Sequence, residues 1–242
     1  MSTATRKQLE IRKREQMLLG IARTMLVEDG FANLGLDRLA EATDYSKGTI
    51  YQHFASKEDL VAALAIQSCE TRLDLFTRAT RYPGSPRERM LALVAADEIF
   101  ARRHPHYFHS EMIIRMANLD ARASSDRRKR LEELERQMLS LAFGLVRDGV
   151  EQQDLTLTKP WTPEKVTFAL FCQDIGAHMT VLNYSSVVGK MGITSTSPHM
   201  LDNLNLLLDG LQWKPLSKEF DYAATVARVT EQILSEEGSA HD

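Results

Sequence analysis

Apolar residues return every three or four positions along most of the chain, and the alternation a half-buried strand needs is nearly absent. Leu18, Ile21, Ala22 and Met25 form one helical stripe, and Gly30 behind them reads as a left-handed cap with Phe31 packing back on Leu26. A short helix is expected over 36–43. Ser46 caps another that ends near His53, and Ser56-Lys57-Glu58-Asp59 opens a long helix towards Thr80 as a capping box. Tyr82-Pro83-Gly84-Ser85-Pro86 breaks the chain. Six further helices are expected at 86–103, 105–119, 125–153, 162–187, 197–212 and 217–236, separated by breakers such as Pro105, Lys159-Pro160, the stretch 189–197 and Lys214-Pro215. The pattern predicts an all-α protein of nine or ten helices.

The length, 242 residues, allows one large or two modest domains, and 43% hydrophobic with 26% charged residues is the balance of an ordinary globular chain. Two cysteines, Cys69 and Cys172, exclude a disulfide scaffold and a four-cysteine zinc site. The start of the chain lacks an apolar signal core. The most apolar stretch, 166–182, is interrupted by Gln173, Asp174 and His178, so a buried helix is expected there, not a membrane span. Together these predict a cytoplasmic protein with reduced thiols and no membrane partner. The net charge of −3 hides a short basic arm, Arg6, Lys7, Arg12, Lys13 and Arg14 against Glu10 alone, in the first fourteen residues.

Residues 36–54, LDRLAEATDYSKGTIYQHF, read as two short helices across a tight turn. A seven-residue helix gains little stability alone, so its use lies in presenting an outer face and a positive helix end to something negative. Leu36, Leu39, Ala40, Ile50 and Phe54 fall inward; Lys47, Gly48, Thr49, Gln52 and His53 fall outward. Together with Gly30-Phe31, Leu39-Ala40-Glu41-Ala42 and the run from Ser46 to Leu60, this segment closely resembles the amino-terminal domain of TetR-family transcriptional regulators, over about residues 10–65.

The resemblance implies an all-helical homodimer with a helix-turn-helix DNA-binding domain at 1–55 and a ligand-binding and dimerisation domain at 56–242. It implies a regulator, and a repressor in the first instance, that leaves a palindromic double-stranded DNA operator when a small apolar or amphipathic effector binds. An adaptor of the same fold, acting through a protein partner without an inducer, is the alternative. Carried over residue by residue, Lys47, Thr49, Tyr51, Gln52, His53 and Lys57 stand where the family contacts DNA, and Gly48 lets the backbone come close. The chemistry agrees: Lys47 suits guanine or phosphate, Gln52 can pair bidentately with adenine, and Thr49, Tyr51 and Lys57 suit phosphate oxygens. Partial burial of Tyr51 and a rim position for His53 both remain open. Gly35 stands where the family commonly has a capping hydroxyl, and Asp44 where it commonly has glycine, which would require Asp44 to tolerate left-handed geometry.

Phe108, Met112, Met116, Phe143, Phe171, Cys172 and His178 are candidate pocket residues by position. His104-x-His106-x-x-His109 has metal-like spacing, but Pro105 interrupts it. Asp174 and His178, at i and i+4, read as a metal or polar-ligand pair or as a buried hydrogen-bonded pair. No metal or other cofactor is expected. Glu111 and Arg115 read as a surface pair, and the basic run 127–130 as a solvated patch balanced by acidic residues on its own helix. No serine-hydrolase, Walker, zincin or dinucleotide motif occurs, so an enzyme is not expected. The helix at 162–187 is apolar nearly all round, through Val166, Phe168, Leu170, Phe171, Ile175, Met179 and Leu182. The stripe Leu201-Leu204-Leu208-Leu211 follows it. The resemblance implies that these two helices pair with their twofold mates as the dimer seam, with Gly176 and Ala177 permitting close approach, an ordinary monomer core being the alternative.

Overall fold

The computed structural model of the protein describes residues 3–193 and 197–238, without the side chains of residues 3–5, 182, 197, 198 and 234–238. The Leu182 side chain and residues 194–196 of the 189–197 breaker therefore lie outside what is described. Among those described, the regular structure is helical: α1 (Thr3–Asn33), α2 (Leu36–Glu41), α3 (Lys47–His53), α4 (Lys57–Ala79), α5 (Pro86–Arg103), α6 (Pro105–Met116), a 3-10 turn (Leu119–Arg122), α7 (Ser125–Glu151), α8 (Pro163–Lys190), α9 (Ser197–Gly210) and α10 (Tyr222–Gly238).

Where boundaries differ from expectation, local chemistry explains the shift. Gly30 has the positive φ a left-handed cap requires (76°), but the chain winds on to Asn33, so Gly30 kinks α1 instead of ending it. Asn118, left-handed at φ 48°, stops α6 before residue 119. α10 starts five residues late. Ser217 gives both its amide and its hydroxyl hydrogen to Asp209, and Asp221 caps the helix by accepting from the Ala224 amide at 3.0 Å.

The chain groups into two compact units: one comprises 1–71 with 104–134, the other 72–103 with 135–242. The reason is that α6 returns to pack on α1, and α4 and α7 each contribute to both units.

In the first unit, Leu18, Leu26, Leu39, Ile50, Phe54, Leu60 and Leu64 are fully buried. Arg23 is buried among them and donates to Leu64 O (3.1 Å), Gln67 Oε1 (2.7 Å) and Ser110 Oγ, with its guanidinium 3.8 Å over the Tyr107 ring. Burial pulls its pKa down to about 10, against the opposing pull of Tyr107 and Glu111.

In the second unit, α5 packs chiefly on α10 and also on α9, burying Leu91, Phe100, Leu204, Leu208 and Trp213. The Trp213 ring lies so close to Gly149 that a Cβ there would come within 2.7 Å of it. Arg87, fully buried, donates to the carbonyls of Trp213 and Pro215 and to Asn205 Oδ1 (3.0 Å) and Asp209 Oδ1 (2.7 Å). Arg87→Met would strand several acceptors at once, so we expect a loss of about 3–5 kcal/mol in urea unfolding. A loss under about 1 kcal/mol would mean that these bonds are not what holds the α5–α9 corner.

Candidate nucleic-acid interface

The α2–turn–α3 unit is built from three local devices. Leu36, Leu39 and Ala40 bury one face of α2, and Ile50 with Phe54 buries the inner face of α3. Ser46 closes the start of α3, its Oγ accepting from the Thr49 amide at 3.2 Å and lying 3.0 Å from the Thr49 hydroxyl. The turn between the helices holds without left-handed geometry: Asp44 is not among the residues with positive φ, and Thr43 Oγ1 donates to Leu39 O at 3.0 Å. Gly35 caps α2 in an extended conformation (φ −164°) with no side-chain bond.

Lys47, Gly48, Tyr51 and Gln52 are exposed along the outer face of α3, and Thr49 is half-exposed. Lys47 Nζ pairs with Asp37 Oδ2 at 2.8 Å, a contact that raises the lysine pKa. The pair lies in solvent, where such contacts are weak, so phosphate or a base edge can replace Asp37. Lys57, at the start of α4, is half-buried: its ammonium sits 3.9 Å over the Phe31 ring and 3.5 Å from Ala32 O, and burial lowers its pKa.

His53 does not face outward. Its side chain is only 5% exposed, with Nδ1 3.5 Å from Glu15 Oε2 of α1 and its ring packed beside Phe54. The turn of α3 that carries it faces α1, a long-range neighbour that local periodicity does not reveal. The carbonyl of the same residue accepts from Arg127 Nη2 at 3.0 Å, and the Arg127 guanidinium lies over Phe54 (5.5 Å) and near Glu15 (3.5 Å). Two of the four residues of the basic run of α7 find their acidic partners on other helices. Arg127 pairs with α1, and Arg130 pairs with Glu70 of α4 at 2.6 Å. Arg127 and Glu15 thus anchor the reading helix, a role that no motif signalled.

Asp59 caps the start of α4 in a way the capping box foreshadowed only in part. Its amide donates to Ser56 Oγ (3.1 Å), while its carboxylate accepts from the Ser124 amide (2.7 Å). Burial pushes this carboxyl up, but the Ser124 hydrogen bonds and the Arg127 charge carry it below the usual carboxylate range. Glu111, expected on the surface with Arg115, is fully buried. It accepts from Ser68 Oγ (3.0 Å) and from Arg115 Nε (2.9 Å), because α4 covers that face of α6.

The candidate pocket residues are divided between the two units. Phe108 and Met112 are buried in the first unit, while Met116 points outward from the last turn of α6. In the second unit Phe143 is half-buried, Phe171 and Cys172 are exposed, and His178 is buried. Of these, Cys172 lines a groove of about 390 Å³ along α8 and α9. A larger cavity of about 730 Å³ lies between α5, α9 and α10, bounded by Leu91, Ile99, Leu204 and Val226 with Glu98 and Arg102. The predicted leucine seam also turns the other way. Leu204 (1% exposed) and Leu208 (0%) are core residues, because α9 lays that stripe on its own unit, and Leu206 (76%) is the leucine left outside. On α8, Val166 and Leu170 face the core, whereas Phe168 (67%), Phe171, Tyr184 and Val187 are exposed, as is Met191 at its C-cap.

A short helix seated on a buried face, with its polar face outward and a capped start, is the DNA-reading unit of a helix-turn-helix regulator. Comparison with known proteins agrees. The family described as bacterial regulatory proteins, tetR family, matches residues 18–64. The HTH-type transcriptional repressor KstR2 of Mycobacterium tuberculosis is 23% identical over 143 residues, 59% of this chain and 70% of its own. Among solved structures, a bacterial regulatory protein of the tetR family from Rhodococcus RHA1 superposes with a TM-score of 0.64 at 14% identity, over 81% of this chain and 96% of that one. FadR of Bacillus subtilis, in complex with stearoyl-CoA, gives 0.62 at 16% identity, over 81% and 98%. Residues 18–64 thus match the amino-terminal domain of the tetR family of bacterial regulatory proteins, and the chain as a whole has the fold of the solved TetR-family regulators. No helix among the described residues is long and apolar enough to cross a membrane.

Proposed function

We propose that the protein is a cytoplasmic, ligand-responsive repressor that binds a palindromic operator as a homodimer and releases it when a small apolar or amphipathic effector binds. Residues 1–55 read DNA, and residues 56–242 take the effector and form the dimer. The observation that carries the reading is the outer face of α3, where Lys47, Gly48, Thr49, Tyr51 and Gln52 stand unobstructed behind the Ser46 cap. His53 serves that face as a support through Glu15, and Lys57 reaches phosphate by leaving the Phe31 ring. An acyl-type effector is in keeping with the relative solved with stearoyl-CoA. The apolar face of α8 and Leu206 of α9 supply the dimer contact.

Half-sites of helix-turn-helix dimers lie about 34–36 Å apart, so a shift of α4 by a few ångströms prevents both heads from docking. The 23-residue α4 begins beside α3 and ends in the second unit, which makes it the carrier of that shift.

The test separates base reading from backbone positioning. Gln52→Ala is expected to cost about 1–3 kcal/mol on the preferred operator and to relax preference at one base pair per half-site. Lys57→Ala should weaken all sequences alike. Binding-site selection with each variant checks this, and identical selectivity profiles would overturn the assignment. A purified protein that shows no preferred palindrome would overturn the repressor reading itself.

A further inference from the structure

Inside the second unit, α4, α5 and α8 bring four ionisable side chains together that DNA reading does not use. Asp97 of α5 is 1% exposed and takes two bonds from Arg72 of α4, Nε to Oδ1 at 2.5 Å and Nη2 to Oδ2 at 3.0 Å. From α8, His178 Nε2 lies 3.3 Å from Asp97 Oδ2, and Asp174 Oδ2 lies 3.9 Å from Arg72 Nη2. We propose that Asp97, Asp174 and His178 form a buried site for one divalent first-row transition-metal ion of the zinc type.

Three observations support the site. The first is spacing: one ligand atom from each of the three side chains lies within 4.8 Å of the others. Two ligands on a tetrahedral ion with bonds of about 2.0–2.1 Å stand roughly 3.3–3.4 Å apart. The His178–Asp97 separation of 3.3 Å is already that edge, and it is long for a strong hydrogen bond to a carboxylate. The second is an orphaned atom. Asp174 Oδ1 is buried with no hydrogen-bond partner, a costly state for a carboxyl group unless something of positive charge is there to meet it. The third is charge. Two carboxylates meet at one point, and the single guanidinium beside them is bonded to Asp97. A divalent ion placed there would meet both carboxylates, with Arg72 beside them fixing the Asp97 carboxylate through its two bonds, as groups that orient metal ligands do.

Residue spacing explains why the set is rigid. Asp174 and His178, at i and i+4, share one face of α8, and Asp97 meets them from α5. The Asp174 side chain keeps 17% exposure, which gives an ion a way in. The ligand chemistry selects the ion. One imidazole and two carboxylates suit zinc or cobalt, whereas magnesium and calcium ask for six or more oxygens and several waters.

The test uses the full-length protein after dialysis against a chelator. Titration with Co2+ should give visible absorption bands that saturate at one ion per chain, and Zn2+ should abolish them by competition. Mg2+ should not compete. At a Zn2+ concentration about a hundred times Kd, the melting temperature should rise by about 5 °C or more. Asp174→Asn keeps the size and shape of the side chain while removing the ligand charge. It should keep the helical circular dichroism yet weaken Co2+ binding by at least about tenfold. His178→Gln provides a second variant with the same expectation, and decides the matter if the first does not fold. Absence of Co2+ uptake by the wild-type protein would overturn the proposal. So would uptake that survives unchanged in either folded variant, since the ion would then sit elsewhere, as at His104, His106 and His109.

Discussion

Raising the salt from about 50 to 200 mM is expected to weaken operator binding by roughly a thousandfold. The estimate follows from counterion release: if each dimer neutralises about six phosphates, log K falls with log salt at a slope near −5. Lys47 stands exposed with only a solvent-screened partner, Lys57 is held loosely over Phe31, and Arg6, Lys7, Arg12 and Lys13 lie exposed on the first turns of α1. Fluorescence-anisotropy titrations of the operator across that salt range check the slope. A slope near zero would show that the exposed cations do not meet phosphate, and binding that ignores scrambling of the operator would show that α3 does not read bases.

Changing Phe168 and Leu206 together to Glu is expected to weaken the dimer by about a thousandfold or more while leaving each protomer folded. Both side chains are exposed in the single chain, at 67% and 76%, so carboxylates there cost the monomer little. In a two-fold interface built on α8 and α9 the same change buries four negative charges. Since each 1.4 kcal/mol is tenfold in affinity, a desolvation cost of several kcal/mol splits the complex at micromolar concentration. Operator affinity should fall with it, because one head cannot hold the second on its half-site. The contrast is Leu204→Glu, which places a charge at a core position and should unfold the chain. Equilibrium sedimentation with circular dichroism separates the two. An intact dimer in the Phe168/Leu206 variant would place the interface on another face.

That contrast also marks where sequence reading stops. The period of α9 was plain, but a leucine at nearly every other position offers two stripes, and local pattern cannot say which neighbour claims which. The structure buries Leu204 and Leu208 within their own unit and leaves Leu206 outside. The α2–α3 unit was legible for the opposite reason: its caps, turn and inward residues all act within twenty positions, and Ser46, Ile50 and Phe54 take the places their spacing dictates. Its support was not legible. His53 turns inward because of Glu15, and Arg127 reaches it from 74 positions away, so neither contact leaves a periodic trace. Glu111 is a similar case. The i, i+4 spacing with Arg115 is that of any solvent-facing pair, and only Ser68 on α4 makes it a core contact.

The anchoring of α3 has a consequence for how the protein meets imperfect operators. With Phe54 buried beneath it, Arg127 bonded to its last carbonyl and Glu15 against His53, the helix has little freedom left to surrender on docking. Affinity for the right site gains from that saved entropy. The same stiffness leaves the helix unable to adapt to a wrong one, so the cost of a mis-spaced or mis-shaped half-site falls on the DNA, which must bend or twist to fit. Operators would then be ranked as much by the deformability of the base steps between the half-sites, which no side chain touches, as by the bases beneath Gln52.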